Sequence, residues 1–309
     1  MMILGLILPI PEPAVAPIKR ISDVGIFILF LLYGARMSTA QVLRGMKNIK
    51  LQGAVLAATF VVFPIIGFVL QKLTTPLLGA GLAAGLLYVS LLPSTVQSSV
   101  AFVSVARGNV AGAIVAATVS NVAGMFITPL FVLWFMGATG SVGTDSLISI
   151  LTLLLLPFII GQVIQRWVGD WLREHKKITT IWDRVTILII VFVAVVTATA
   201  AGVWDNVSVW TIVLVGVVSA IFVVIMLLVT WYGGKALGLS TDDKIALLMC
   251  GSKKSMATGL PMASVLFAPA VAGVIAVPLI IFHQLQLMIC AWLAKVLAAR
   301  AESEATSPR

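Results

Sequence analysis

Two adjacent lysines, Lys253 and Lys254, stand inside an otherwise apolar stretch, bracketed by Ser252 and Ser255, with Thr258 one turn further on. A second polar interruption, Ser94, Thr95, Val96, Gln97, Ser98 and Ser99, follows Pro93 in another apolar stretch. Lysine beside serine has two distinct chemistries. One is a nucleophile with a desolvated amine as its base. The other is a fixed positive charge among hydroxyl and amide groups, which binds an anion, more so where broken helices present their N-termini. The acidic residues favour the second by their placement. Glu12, Asp23, Asp145, Asp170, Glu174, Asp183, Asp205, Asp242, Asp243, Glu302 and Glu304 fall in or near loops, termini or the ends of apolar runs. A cation stripped of water wants a compensating carboxylate, and no apolar run carries one at its middle. Asn121, with Thr118, Ser120 and Thr128 near it, and His283, with Gln284 and Gln286, are further polar candidates for the same cavity. His283 is the group in these runs that titrates near neutral pH.

The elements that must position these residues are membrane helices. The chain has 309 residues, 61% of them hydrophobic and only 10% charged, with a mean hydropathy of +1.14. Soluble domains carry about 25% charged residues, so a soluble enzyme is excluded. Apolar runs of bilayer-spanning length recur at 21–38, 50–71, 79–104, 109–136, 145–167, 184–203, 207–232, 243–266 and 270–297, after a shorter initial segment at 2–18, ten in all. The initial segment lacks a basic start and carries Pro9, Pro11, Pro13 and Pro17, so it does not read as a secretory signal. Cys250 and Cys290 sit in apolar segments at no metal or disulfide spacing. The sequence calls for no cofactor.

The net charge of +9 is an orientation signal rather than a nucleic-acid footprint, because the basic residues cluster in short inter-span loops without interleaved aromatics. With ten alternating segments and the N-terminus inside, every Lys and Arg falls on the cytoplasmic side except Lys19, Arg20, Lys72 and the buried pair. Both termini are therefore expected in the cytoplasm. Ten segments divide at 137–144 into five and five, and an odd number per half inverts the second half relative to the first. The polar breaks then fall in corresponding fourth and ninth segments. Broken backbone at that depth must be buried in protein or line a wet cavity, so the breaks are expected to cross. Lys254 lies ten residues beyond Lys244, about 15 Å along a helix and half the hydrocarbon core. With neighbours on a helix pointing about 100° apart, Lys254 is expected at the crossing, and Lys253 among carbonyls or in a vestibule.

Several of these motifs together resemble the bile acid:sodium symporter family (the solute carrier ten family), and within it the SBF-like branch. They are the Pro93 to Ser99 break, Ala106-Arg107-Gly108-Asn109, Thr128-Pro129, Pro157 with Gly161-Gln162, and Lys254-Ser255-Met256-Ala257-Thr258-Gly259-Leu260-Pro261. The resemblance implies an all-α polytopic membrane protein of two inverted five-helix repeats. A panel would be formed by 1–49 and 137–206, a core by 50–136 and 207–298, and a cytoplasmic tail by 299–309. The core would move against the panel in alternating access.

The same resemblance assigns sodium ligands, and here the residues depart from it. Ser252 aligns where sodium-coupled members carry an acidic residue, and Ser99 where they carry asparagine. Ala113 and Ala117 replace fifth-span hydroxyls, with Thr118 adjacent, and Ser98 matches. Ser98, Ser99 and Thr118 are thus the sodium ligands that remain, and Lys254 is expected to stand in for the missing cation among the crossing hydroxyls. The expected protein is a secondary transporter of a small amphipathic organic anion in a bacterial inner membrane. The anion or ion site comprises Ser94, Thr95, Gln97, Ser98, Ser99, Asn121, Ser252, Lys253, Lys254, Ser255, Thr258 and His283. Sodium-coupled symport through hydroxyls and carbonyls, a regulatory protein that keeps the fold, and a serine-lysine hydrolase are the competing readings.

Overall fold

Backbone polar groups in a bilayer have no water to turn to, so an apolar chain of this composition satisfies them within helices. The computed structural model describes residues 12–37, 48–137, 148–200, 202 and 208–306. Among them there is no strand. The helices are α1 (Glu12–Arg36), α2 (Ile49–Ala57), α3 (Phe63–Leu91), α4 (Gln97–Val105), α5 (Val110–Met136), α6 (Leu156–Glu174), α7 (Lys176–Ala200), α8 (Val209–Ala236), α9 (Thr241–Gly251), α10 (Met256–Leu266) and α11 (Pro269–Thr306). π-Helical turns at Ala58–Val62 and Ile150–Leu155 lead into α3 and α6.

Among the described residues, six helical stretches are long and apolar enough to cross a membrane, where the sequence reading counts ten segments: Ile49–Leu91, Val110–Met136, Ile150–Glu174, Lys177–Ala200, Val209–Ala236 and Pro269–Ser303. The difference has local causes. Ile49–Leu91 covers the expected segment 50–71 and the first half of 79–104, which Gly79 divides with φ +77° and ψ 160°, a conformation open essentially to glycine alone. The segments at 79–104 and 243–266 are interrupted by their polar breaks. At the start, α1 runs without interruption past Lys19 and Arg20, so residues 12–18 are its first turns and not the end of a separate span. Residues 2–11 and most of the 137–144 divide lie outside the described residues. The expected loop at 168–183 is instead helical on both sides of His175, where the backbone leaves the helical region (φ −93°, ψ 44°).

Small residues set how closely the helices pack. α1 and α6 meet at Gly34 and Gly161, where a Cβ on either would come within 2.2 Å of a backbone oxygen of the other helix, Phe158 O or Leu31 O. Helices in lipid associate through such close approach rather than through hydrophobic burial. The Gln162 amide then donates to Gly34 O at 2.5 Å. α7 packs on α1 and on α11, α3 on α11, and α9 on α2, α4 and α8.

One end of this second group is tied by a single carboxylate. Asn48 and Asn109 cap α2 and α5, each accepting a backbone N–H with its side-chain oxygen. Their amide nitrogens donate to the two oxygens of Asp243, at 2.8 Å from Asn48 and 2.7 Å from Asn109. Asn109 N also donates to Asp242 O at 3.0 Å. Asp243, in the first turn of α9, thus yokes three helix N-termini and favours each by its charge. Asp243→Ala is expected to cost about 2 kcal/mol, since hydrogen bonds to a charged group contribute about 1.5–3 kcal/mol and this one is partly solvated. Asp243→Asn should retain part of it. Unfolding of the two purified variants by scanning fluorimetry checks the order.

Candidate functional site

Proline 93 has no N–H and forces the preceding Leu92 into the extended region, observed at φ −77° and ψ 157°, which ends α3. The second break, between α9 and α10, runs through Ser252 to Ser255. The two breaks lie against each other. Ser255 N donates to Pro93 O at 2.9 Å, Ser94 Oγ to Cys250 O at 2.5 Å, and Ser99 Oγ to Met249 O at 2.9 Å. Hydroxyls from the first break thereby satisfy the carbonyls that α9 leaves open at its end. α5 braces the first break from behind. Ser120 Oγ accepts from Ser94 N at 3.0 Å, Asn121 Nδ2 donates to Ser94 O at 2.7 Å, and Thr128 Oγ1 donates to Leu91 O at 2.8 Å.

The carbonyls at the end of α3 are satisfied differently. Lys254 is fully buried, and its Nζ donates to Ser90 O (2.8 Å), Leu92 O (2.6 Å) and Thr59 O (2.8 Å). It also lies 4.1 Å from the centre of the Phe63 ring. Thr59 O is left open by the π-helical turn and the proline that follows it. In the π-helical turn Phe63 N bonds Ala58 O, so the next N–H in that register would take Thr59 O, but residue 64 is proline. An ammonium has three N–H donors and three carbonyls meet them, at the negative end of a helix dipole. Lys254 therefore sits among backbone carbonyls, not among the crossing hydroxyls as the sequence reading expects. Its own backbone is held by Gln286, whose Oε1 accepts from Lys254 N and whose Nε2 donates to Lys254 O, both at 2.8 Å.

Lys253 goes to the other side. Residues 253–255 are not helical, so neighbouring side chains diverge far more than the helical spacing predicts. The roles expected of the two lysines are exchanged. Lys253, also fully buried, has Nζ 3.5 Å from Ser98 Oγ and 4.3 Å from the Phe102 ring centre. From Ser98 a hydroxyl chain runs to Thr95 Oγ1 (2.8 Å), to Ser99 Oγ (2.8 Å) and to Met249 O. Neither lysine bonds Ser252 or Ser255 among the described residues. Ser252 Oγ donates to Leu248 O, and Ser255 Oγ caps α10 by accepting from Thr258 N. A serine-lysine nucleophile pair is not assembled. Ser98 and Ser99 come together through Thr95, whereas Thr118 Oγ1 donates to Ile114 O of its own turn. No group of His, Cys, Asp or Glu suited to a metal ion occurs among the described residues.

A cavity of about 550 Å³ opens between the crossing and the helices α1, α6 and α7. Of the sequence-derived candidates, Thr95, Gln97, Ser98, Thr118, Asn121, Ser255, Thr258 and His283 line it, while Ser94, Ser99, Ser252, Lys253 and Lys254 do not. Its apolar wall includes Tyr33, Met37, Met125, Phe158, Ile187 and Met256. Thr258 Oγ1, buried, has no hydrogen-bond partner among the described residues. His283 is in a defined state. Lys254 N fixes Gln286 with its oxygen toward that amide, so Gln286 Nε2 faces His283 Nδ1 at 2.8 Å and donates to it. The neutral ring then carries its proton on Nε2.

Sequence reasoning missed the charged residues of this cavity, Arg36, Asp183 and Arg184. It counts them as loop and span-end charges that set orientation, and nothing in their spacing ties α1 to α7. Arg36 and Asp183 form a two-pronged ion pair at 3.0–3.2 Å. Tyr33 OH reaches across the cavity to Ala257 O at 3.4 Å, a carbonyl whose helical partner would be the absent N–H of Pro261.

The chain is 39% identical over 307 residues to the Pseudomonas aeruginosa protein PA2026, covering 99% of this chain and 92% of that one. It is 36% identical to YfeH of Escherichia coli, a candidate symporter by name, over 90% of this chain and 84% of that protein. It is 29% identical to the sodium/bile acid cotransporter 7 of Xenopus tropicalis, over 93% of this chain and 88% of that one. A family profile described as the SBF-like CPA transporter family matches residues 1–299. This integral membrane chain, with its two facing helix breaks and the cavity beside them, belongs to the SBF-like CPA transporter family.

Proposed function

We propose that the protein is a secondary transporter that carries an organic anion across the cytoplasmic membrane by alternating access, with the Lys254 ammonium in place of a coupling cation. One observation carries this reading. A fully buried positive charge takes three backbone carbonyls where two helix breaks meet, which is the ligand type a hard alkali cation seeks. With the Lys254 ammonium held by carbonyls and no carboxylate nearby, the crossing has no negative group to repel an anionic cargo. The apolar side of the cavity suits an amphipathic one, and the cotransporter name of the Xenopus relative agrees with a bile-acid-like carboxylate or sulfonate.

In this reading the chain is built of two inverted repeats, one on either side of 137–144. α1, α6 and α7 belong to a panel (1–49 and 137–206), and the breaks to a core (50–136 and 207–298), with the tail 299–309 in the cytoplasm. The close seating of α1 on α6 and the cavity between them and the crossing support a division there.

A second reading, sodium-coupled symport, is favoured by the name of that same relative. Uptake of radiolabelled cholate, a long-chain alkyl sulfonate and a long-chain carboxylate into proteoliposomes, with sodium or choline outside, separates the two. The expected result is saturable uptake of at least one anion at equal rates in both salts. Uptake that requires sodium would replace the first reading with the second, and no saturable uptake of any of the three would overturn both.

A further inference from the structure

Neither buried lysine lines the cavity, so the cargo's charge must be met by something else. The formally charged residues of the cavity wall are Arg36, Asp183 and Arg184, on α1 and α7, opposite the crossing. Arg36 is fixed in place. Its Nε donates to Leu32 O at 3.2 Å, its guanidinium lies 5.0 Å from the Tyr33 ring centre, and Asp183 takes one edge of it at 3.0–3.2 Å. Asp183 cancels the charge of Arg36, whereas Arg184 beside it is exposed and forms no ion pair among the described residues. The wall carries a net charge of +1 with a second guanidinium already oriented.

The crossing's side chains offer the lumen the opposite chemistry. Both amide hydrogens of Asn121 are spent, on Ser94 O (2.7 Å) and Ala117 O (3.0 Å), which leaves its oxygen. Ser99 gives its one proton to Met249 O, so Thr95 must donate to Ser99 and Ser98 to Thr95. The protons of this chain run from Ser98 toward Met249 O, so Ser98 and Thr95 are left as acceptors, with Lys253 Nζ 3.5 Å from Ser98 Oγ. An anionic oxygen gains nothing from lone pairs. The donors left on that side are neutral: His283 Nε2–H, the Gln97 side-chain amide, the unpartnered Thr258 hydroxyl and the first amides of α4 and α10.

We propose that the anionic group of the cargo binds on the α1–α7 wall, to Arg184 with the pre-positioned Arg36. The Ser98, Thr95 and Asn121 acceptors take hydrogen bonds from a hydroxyl or N–H elsewhere on the same molecule. The cargo class is therefore an organic carboxylate, sulfonate or phosphate that also bears neutral donor groups. This inference rests on the transport reading above, yet its test does not need transport.

Single cysteines at Met37 and at Met256, both lining the cavity, are labelled in detergent with 2-sulfonatoethyl methanethiosulfonate and with its trimethylammonium counterpart. The native Cys250 and Cys290 are fully buried. At Met37→Cys the ratio of sulfonate to ammonium rates should exceed that of a free thiol about tenfold, as one unit charge nearby in a poorly screened cleft requires. Arg184→Gln should remove most of that excess, Arg184→Lys should restore it, and Asp183→Asn should raise it further. At Met256→Cys the ratio should move less than about twofold on Arg184→Gln, because that side is set by the crossing. A Met37→Cys ratio indifferent to Arg184→Gln, or an anion preference greatest at Met256→Cys, would overturn the assignment. The expected ratios without anion uptake would leave the site standing and remove the transport reading. Uptake with an indifferent ratio would do the reverse.

Discussion

Lys254→Met should lower the stability of the protein by about 3–5 kcal/mol, the range in which removing one partner from a buried charged cluster falls. Methionine keeps most of the side-chain stem, so little of the loss comes from a cavity. What remains is three carbonyls, Thr59 O, Ser90 O and Leu92 O, that now face apolar groups. Each buried acceptor left unmet costs about 1–3 kcal/mol. Chemical unfolding in detergent, followed by tryptophan fluorescence, measures the difference. A loss below about 1 kcal/mol would mean that these oxygens find other donors and that the ammonium is not what holds the end of α3. Lys253→Met should cost less, since that ammonium has one long hydrogen bond and an aromatic face rather than a full set of acceptors.

The second large effect concerns the wall opposite the crossing. Gly161→Leu should destabilise the protein by more than about 3 kcal/mol, because its Cβ alone would stand 2.2 Å from Leu31 O. Backbone cannot yield as a flexible side chain does, so α1 and α6 must move apart, losing the Gln162 bond to Gly34 O as well. Forced packing of this kind costs about 1–3 kcal/mol even in yielding cores. Gly161→Ala should already show a good part of the effect. Gly216→Ala, where a Cβ meets nothing within 4 Å, should be neutral or slightly stabilising through helix propensity. The same unfolding measurement ranks the three variants. Equal stability of Gly161→Leu and the parent would mean that the two helices are not seated on each other as described.

Much of the site was legible before any coordinates. Pro93 announces a break because the physics of the residue before proline is local, and Lys253 and Lys254 announce burial because nothing nearby lets them reach water. What the sequence concealed is where each side chain goes once the backbone stops being helical. The 100° rule assigns Lys254 to the crossing's hydroxyls, but it holds only in a helix, and residues 253–255 are not in one. The carbonyl that Lys254 finds at Thr59 depends on a π-helical turn whose register, combined with Pro64, leaves one oxygen open. Proline 64 is plain in the sequence and the π register is not. Several candidates also proved to serve the backbone: Ser120 and Thr128 bond the first break, and Gln286 bonds Lys254. Polar residues in a membrane helix look alike in sequence whether they face a lumen or a neighbouring carbonyl. Arg36 and Asp183 escaped notice because their pairing spans 147 positions.

The central claim is that a lysine ammonium occupies a place a cation would otherwise take. Thermal unfolding of the purified protein in sodium chloride and in choline chloride at equal ionic strength, for the parent and for Lys254→Ala, tests it most directly. A ligand at 100 times its dissociation constant stabilises by about 2.7 kcal/mol, which such a scan resolves. The account predicts that the parent melts at the same temperature in both salts, and that Lys254→Ala, with three carbonyls around an emptied space, is stabilised by sodium. A parent protein stabilised by sodium and not by choline would contradict it, because the cation's place would then be open and the lysine would not be filling it.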